Sequence, residues 1–388
     1  MGSPLGRSPG SVTKRSPLTI DPVSWDVRRR RFDASTLSIG MTNVGIVGAG
    51  ASAATLTHVV DGATDADVTV LEKSRGLCGR AATRRKGPVT YDYGANYLKD
   101  EDERIANLVT ETLDPDGLVN IPEPIYTFDA DGTISEGRPV TSRKWSYRQG
   151  LTQVAKRLFA RTDATVHRTT RVTSIRQSEG GESSRWTVTD GENTEHGPFD
   201  ILVLNPPAPQ TAELLKDADW QSDTRTRLLE TVEEVPFRTV WSAVLHYPFR
   251  LDKPYYALVN PGKNHPIGWV SREECKRGHV PDGESALVVQ PSEEWSKAHY
   301  DDPDEANEAT LAEMTATLFD DERLADPDWT DGQGWMYALP EGEAQRGPLR
   351  AAEEEGLYCT GDWITGEARL HAAMRNGFDA GERISYSL

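Results

Sequence analysis

The chain has 388 residues and a net charge of −18 at neutral pH, with 61 Asp and Glu against 43 Lys and Arg. That length supports two domains with sizeable cores, while the acidic balance disfavours nucleic-acid binding, which needs a basic footprint. No run of about 18 apolar residues marks a membrane span. Cys78, Cys275 and Cys359 are too scattered for a metal site or a disulfide framework, which points to a reducing, cytoplasmic setting.

In chain order, residues 1–40 stand apart: Ser, Pro and Gly recur, and Arg28-Arg29-Arg30-Arg31-Phe32 sits without apolar periodicity. A twin-arginine export signal would need a dispensable apolar segment behind it, and the one that follows is the first strand of the fold. The expectation is a disordered extension, or translation assigned from too far upstream with Met41 as the true start.

Val44-Gly45-Ile46-Val47 then reads as a buried strand and Gly48-Ala49-Gly50-Ala51-Ser52-Ala53 as a glycine turn opening a helix. A second strand, Val68-Thr69-Val70-Leu71, ends at Glu72, 22 positions past Gly50. Strand, glycine turn, helix, strand and acid form the dinucleotide-binding unit. Gly48 allows the tight turn, Gly50 lets a pyrophosphate approach the backbone, and Ala53 is small enough for helix to pack on strand. The helix start at Ala51 and Ser52 offers N–H groups and partial positive charge to phosphates, and Glu72 is placed to accept from a ribose.

Lys73 opens a glycine- and arginine-rich loop running through Gly76, Gly79 and Arg80 to Arg84 and Arg85. Tyr91-Asp92-Tyr93-Gly94-Ala95-Asn96-Tyr97 follows, then an acidic helical stretch near 100–113, short strands over 124–143 and a helix over 150–160. Strand signals occupy 166–175, 185–189 and 200–204, the last a continuous apolar run ended by Asn205-Pro206-Pro207. From 211 to 344 helical segments alternate with Trp- and Tyr-bearing strands. A last buried strand over 356–360 ends at Gly361-Asp362, before a helix from about His371. The expected organisation is a discontinuous nucleotide domain (41–100, 150–210 and 345–388) with an inserted second domain (101–149 and 211–344), ligands favouring the crevice between them.

The loop at 73–85 resembles the second glycine/arginine motif of flavoproteins related to amine oxidases, and most closely that of renalase-type proteins. The resemblance continues in islands, at 91–98, 269–277, 291–299, 335–340 and 369–381. It implies an α/β fold: a Rossmann-like FAD-binding domain of the amine oxidase and hydroxybenzoate hydroxylase type, with an inserted α+β substrate domain on an antiparallel or mixed sheet. It also implies FAD, with Gly79 and Arg80 at the pyrophosphate and flavin, Val172 at the adenine and Asp362 at the ribityl chain. The N-terminus of the last helix, at His371-Ala372-Ala373, would face the flavin ring. Three departures stand out. Cys78 replaces a Gly, Tyr93 and Asn96 replace a His and a Gln, and His371 stands where the last motif has Glu.

Renalase-like proteins oxidise misformed isomers of reduced nicotinamide nucleotides, NAD(P)H, with O2 as acceptor. A dihydropyridine that loses hydride becomes aromatic and needs no general base, so the protein's task is to stack and orient a flat ring. Tyr93, Tyr97, Trp269 and Trp335 are the candidates, each with core packing as its alternative. His371 is either a substrate-side polar group or a helix-start residue, and Arg84 either a phosphate contact or part of a solvated edge. No metal is expected. The rival readings are an amine oxidase of the wider class and a non-catalytic binding protein on the same scaffold. Only 11 of the basic residues are Lys, and with so many acids this composition suits concentrated salt, as in a halophilic archaeon.

Overall fold

The apolar runs pair with one another as buried strands, and a polar, largely exposed strand, Thr165–Arg168, closes one edge of their sheet. Thr165–Arg168, Asp67–Glu72, Asn43–Val47, Ile201–Leu204 and Leu357–Cys359 form, in that order, a five-stranded sheet whose pairings are all parallel. The computed structural model describes residues 1–2, 41–139, 142–178 and 184–388. The N-terminal extension expected over 1–40 lies, apart from its first two residues, outside the described residues.

One face of this sheet carries the helices Ala51–Ala63 and Leu370–Ser387, which share a core with Val44, Ile46, Val68 and Val70. The two helices approach so closely that a Cβ on Gly377 would lie 2.1 Å from the Ser52 carbonyl oxygen. The other face is covered by a three-stranded antiparallel sheet (Val172–Ser178, Arg185–Asp190, Glu195–Phe199) and by the helices Ala208–Lys216, Asp223–Glu233 and Arg346–Glu354. Trp186, Trp220 and Trp363 fill that second layer.

The second large sheet is mixed. Its order is Trp329–Pro340, Phe237–Tyr247, Ser285–Pro291, Ile267–Arg272, Ala257–Val259, Ile125–Phe128 and Ile134–Ser135, antiparallel except where Ala257–Val259 meets Ile125–Phe128. The helix Asp304–Phe319 packs on it. Residues 41–388 form one compact unit.

Three expectations shift. The single strand expected over 166–175 is two strands, broken at Thr169, whose φ of 59° takes the chain from the parallel sheet into the antiparallel layer. The stretch 101–113, expected in the inserted domain, buries Ile105, Leu108 and Val109 in the core of the parallel sheet. The stretch 211–235 likewise buries Leu215, Leu228 and Val232 against that sheet's other face. Amphipathic helices carry no sequence label for the sheet they cover.

Candidate functional site

The glycine turn is built by backbone amides. Gly48 has φ 92°, a conformation costly for any residue with a Cβ, and its N–H donates to Leu71 O at 2.8 Å. Ala49 N–H and Ser74 N–H each donate at 2.7 Å to the Glu72 carboxylate, one to each oxygen. Glu72 thus clamps the turn to the loop after the second strand, and each oxygen keeps a lone pair for a ribose hydroxyl. Gly50 N–H donates to Asn205 Oδ1 at 3.1 Å, and no side chain caps the helix that begins at Ala51. That uncapped helix start faces a cavity of about 1620 Å³ lined by Gly48, Gly50, Ala51 and Ser52. Pockets for ordinary small ligands reach roughly 1000 Å³, so a dinucleotide and a second molecule both fit. A turn free of side chains, uncapped amides and a clamped carboxylate are what a dinucleotide such as FAD requires.

Asn205, just past the strand Ile201–Leu204 that neighbours the central one, was missed as a site residue. Its Oδ1 takes the Gly50 N–H and its Nδ2 donates to Thr360 O at 3.1 Å, so it ties the glycine turn to the last strand. Asn376 extends that tie, its Oδ1 accepting from Thr360 Oγ1 at 2.8 Å and Gly361 N at 2.9 Å. A polar side chain just beyond a buried parallel strand beside the first strand was the available signal.

The loop 73–80 folds back over the turn. Cys78 and Gly79 have φ of 79° and 57°, and Cys78 N–H donates to Ala49 O at 2.9 Å. Burial pushes the Cys78 thiol up to about 12, so it stays protonated and unreactive at neutral pH. Arg80 reaches Asp362 through Nη2–Oδ1 at 2.6 Å and Nη1–Oδ2 at 3.1 Å, and Ala338 O through Nη1 at 3.0 Å. The two residues assigned separately to flavin are therefore partners. Lys73 also lines the cavity, donating to Gln210 Oε1 at 3.1 Å. Burial and then the Arg171 charge lower its pKa.

Gly79, Glu72, Val172, Ala373 and all five substrate-side candidates line this same cavity. Tyr93 stacks on Trp335 (centroids 5.4 Å apart, planes 28° apart), and Trp335 Nε1 donates to Tyr93 O at 3.2 Å. Tyr97 leans on Trp269 at 6.3 Å, and Gln290 Nε2 donates to Gly94 O at 3.1 Å. The Trp269 indole N–H is buried without a partner among the described residues. His371 Nε2 sits 3.0 Å from Glu367 Oε1 and 3.7 Å from Glu101 Oε2.

Ala53, Ala372 and Arg84 are not brought to the cavity. The two alanines are fully buried where helix packs on sheet and helix. Arg84, expected at a phosphate, lies on the strand Thr83–Lys86 and points to the strand Trp329–Pro340. It donates to Asp331 Oδ1 and Gln333 Oε1, both at 2.8 Å.

Residues 46–112 match the family model for an NAD(P)-binding Rossmann-like domain, and residues 133–385 that for flavin containing amine oxidoreductase. Among solved structures the chain is similar to a protein described as a protoporphyrinogen oxidase from Exiguobacterium sp. 255-15, with TM-score 0.70 and 14% identity over 90% of this chain and 100% of that one. It is also similar to cyclohexylamine oxidase from Brevibacterium oxydans IH-35A (TM-score 0.66, 13% identity, 90% and 99% covered). A third is the CLA-producing fatty acid isomerase from P. acnes (TM-score 0.64, 13%, 88% and 98%). At such identities the likeness establishes the fold, and the fold hosts more than one reaction. No helix among the described residues is long and apolar enough to cross a membrane.

Proposed function

The chain belongs to the flavin-containing amine oxidoreductase family, and from that premise we propose that it is a renalase-type enzyme that oxidises a reduced nicotinamide isomer. It is an FAD-dependent oxidoreductase. FAD, when bound, supplies a two-electron acceptor at flavin N5 whose electrons pass on to O2. Gly48, Gly50, Ala51 and Ser52 would hold the pyrophosphate, Glu72 a ribose, Val172 the adenine, and Gly79, Arg80 and Asp362 the flavin half.

The observation that supports this substrate is the aromatic set Tyr93, Trp335, Tyr97 and Trp269, whose rings contact one another in pairs and line the cavity together. Such a surface stacks and orients a flat uncharged ring and excludes water from its faces. Charged groups also line the cavity, among them Glu293, Glu294, Lys99 and Arg238. Because loss of hydride makes a dihydropyridine aromatic, the aromatic residues have only to orient it.

A second reading, oxidation of an amine, is favoured by the His371–Glu367 pair, which lines the cavity through His371 and can take a proton. Anaerobic mixing of the FAD-loaded protein with α-NADH and the 2- and 6-dihydro isomers, and separately with a panel of amines, decides between them. Bleaching of the flavin by the isomers supports the first reading, and bleaching by amines alone the second. We read the acidic surface as an adaptation to concentrated salt in a reducing cytoplasm.

A further inference from the structure

Arg84 does not line the cavity, yet it is held firmly. Its guanidinium bonds Asp331 and Gln333, and its carbon sits 4.4 Å from the centroid of the Tyr93 ring. Burial works against its charge, but the Asp331 carboxylate outweighs burial and keeps Arg84 protonated. Asp331 is itself fixed by the Tyr91 hydroxyl at 2.6 Å. Tyr93, in turn, is the ring that lines the cavity and stacks on Trp335.

An aromatic ring attracts one cation well, through the negative potential of its π face. In Tyr93 that potential is already spent on Arg84. A second positive charge approaching Tyr93 from the cavity meets a ring polarised towards the guanidinium and, beyond it, the guanidinium itself. A neutral ring meets no such penalty.

We propose that Arg84 is a specificity-determining residue that sets the substrate class of this site, disfavouring ammonium groups and favouring neutral flat rings. The role rests on the site assignment above, with Tyr93 facing substrate. Arg84 touches no substrate and acts through Tyr93, with Asp331 moderating its field.

The test is calorimetric titration of the FAD-loaded protein with benzyltrimethylammonium, which carries a permanent charge and no oxidisable N–H, and with benzyl alcohol. Arg84→Gln should bind the cation about tenfold more tightly than the wild type, with benzyl alcohol changed less than twofold. Asp331→Asn keeps the guanidinium but removes its counter-charge, and should weaken the cation further. Arg84→Lys should resemble the wild type. A structural role alone would weaken both probes in Arg84→Gln and in Asp331→Asn. That outcome, or a cation affinity indifferent to Arg84→Gln, overturns the proposal. Flavin bleaching by dihydronicotinamides is scored separately, so loss of that substrate reading leaves the charge result standing on its own.

Discussion

Arg80 and Asp362 are 282 positions apart and meet through two hydrogen bonds, at 2.6 and 3.1 Å. The pair joins the loop after the second parallel strand to the turn after the last one, across the crevice where the central strands end. Arg80 remains partly exposed while Asp362 is 6% exposed, so the carboxylate is the more dependent partner. The flavin half of the proposed cofactor site is therefore pre-shaped by an ion pair rather than by two independent contacts.

Asp362→Ala leaves Arg80, among the described residues, with the Ala338 carbonyl and the Phe237 ring. The variant should lose about 2 kcal/mol of stability in denaturant unfolding and purify with less flavin, read from the ratio of visible to ultraviolet absorbance. Full flavin content would remove Asp362 from the proposed cofactor contacts.

The approach of the first and last helices is equally specific. Gly377→Ala places a methyl 2.1 Å from the Ser52 carbonyl, where backbone has to move. An overpacking cost of about 2 kcal/mol is expected in thermal unfolding. Because Ser52 belongs to the glycine turn, FAD affinity should fall too, as measured by titration of the flavin-free protein.

A buried ion network anchors the residue next to Tyr93. Lys276 Nζ lies 3.0 Å from Asp92 Oδ2 and 2.8 Å from Glu273 Oε1, all three fully buried, and His279 Nδ1 lies 2.8 Å from Glu273 Oε2. Burial alone would raise the Asp92 pKa, but the Lys276 and His279 charges with the Thr83 and Leu151 hydrogen bonds hold it below the ordinary carboxylate range. Its folded pKa is thus below the unfolded one, near 4, so its stabilisation is present above about pH 4 and lost as pH falls further. Burial opposes the Lys276 charge, and Asp92 and Glu273 outweigh it, raising that pKa. The Lys276 contribution is present below about pH 10 and lost as pH climbs through the folded value. Lys276→Met should cost about 3 kcal/mol at neutral pH and flatten the alkaline limb of the stability profile. An unchanged profile would show that the network contributes nothing net.

The excess of acids over bases predicts a melting temperature that rises from dilute buffer to molar KCl, since salt screens the self-repulsion of a −18 chain. A melting temperature that falls or stays level would contradict the reading of the surface as salt-adapted.

What could be read from the residues followed the range of the interactions. The glycine turn and Glu72 were legible because strand, turn, helix and strand are consecutive, and the turn's hydrogen bonds run between neighbours in that unit. Arg80 and Asp362 were identified, but not as partners, since nothing local ties positions 282 apart. Arg84 was misplaced for the same reason: its partners Asp331 and Gln333 come from a strand about 250 positions on, and an Arg behind a glycine loop reads locally as a phosphate contact. Glu367 lies four residues before His371, in the irregular stretch ahead of the helix that begins at Leu370, so helical spacing gives no sign of the pair. Five aromatic and His candidates converge on one cavity although they come from four separate stretches of chain.

The central claim is that this FAD-dependent enzyme takes hydride from an isomer of reduced nicotinamide nucleotides. Anaerobic rapid mixing, followed at the visible flavin band, tests it most directly. The account predicts fast, complete bleaching by α-NADH or a 2- or 6-dihydro isomer, and slow or no bleaching by amines. Rapid bleaching by an amine with none by any isomer would contradict it.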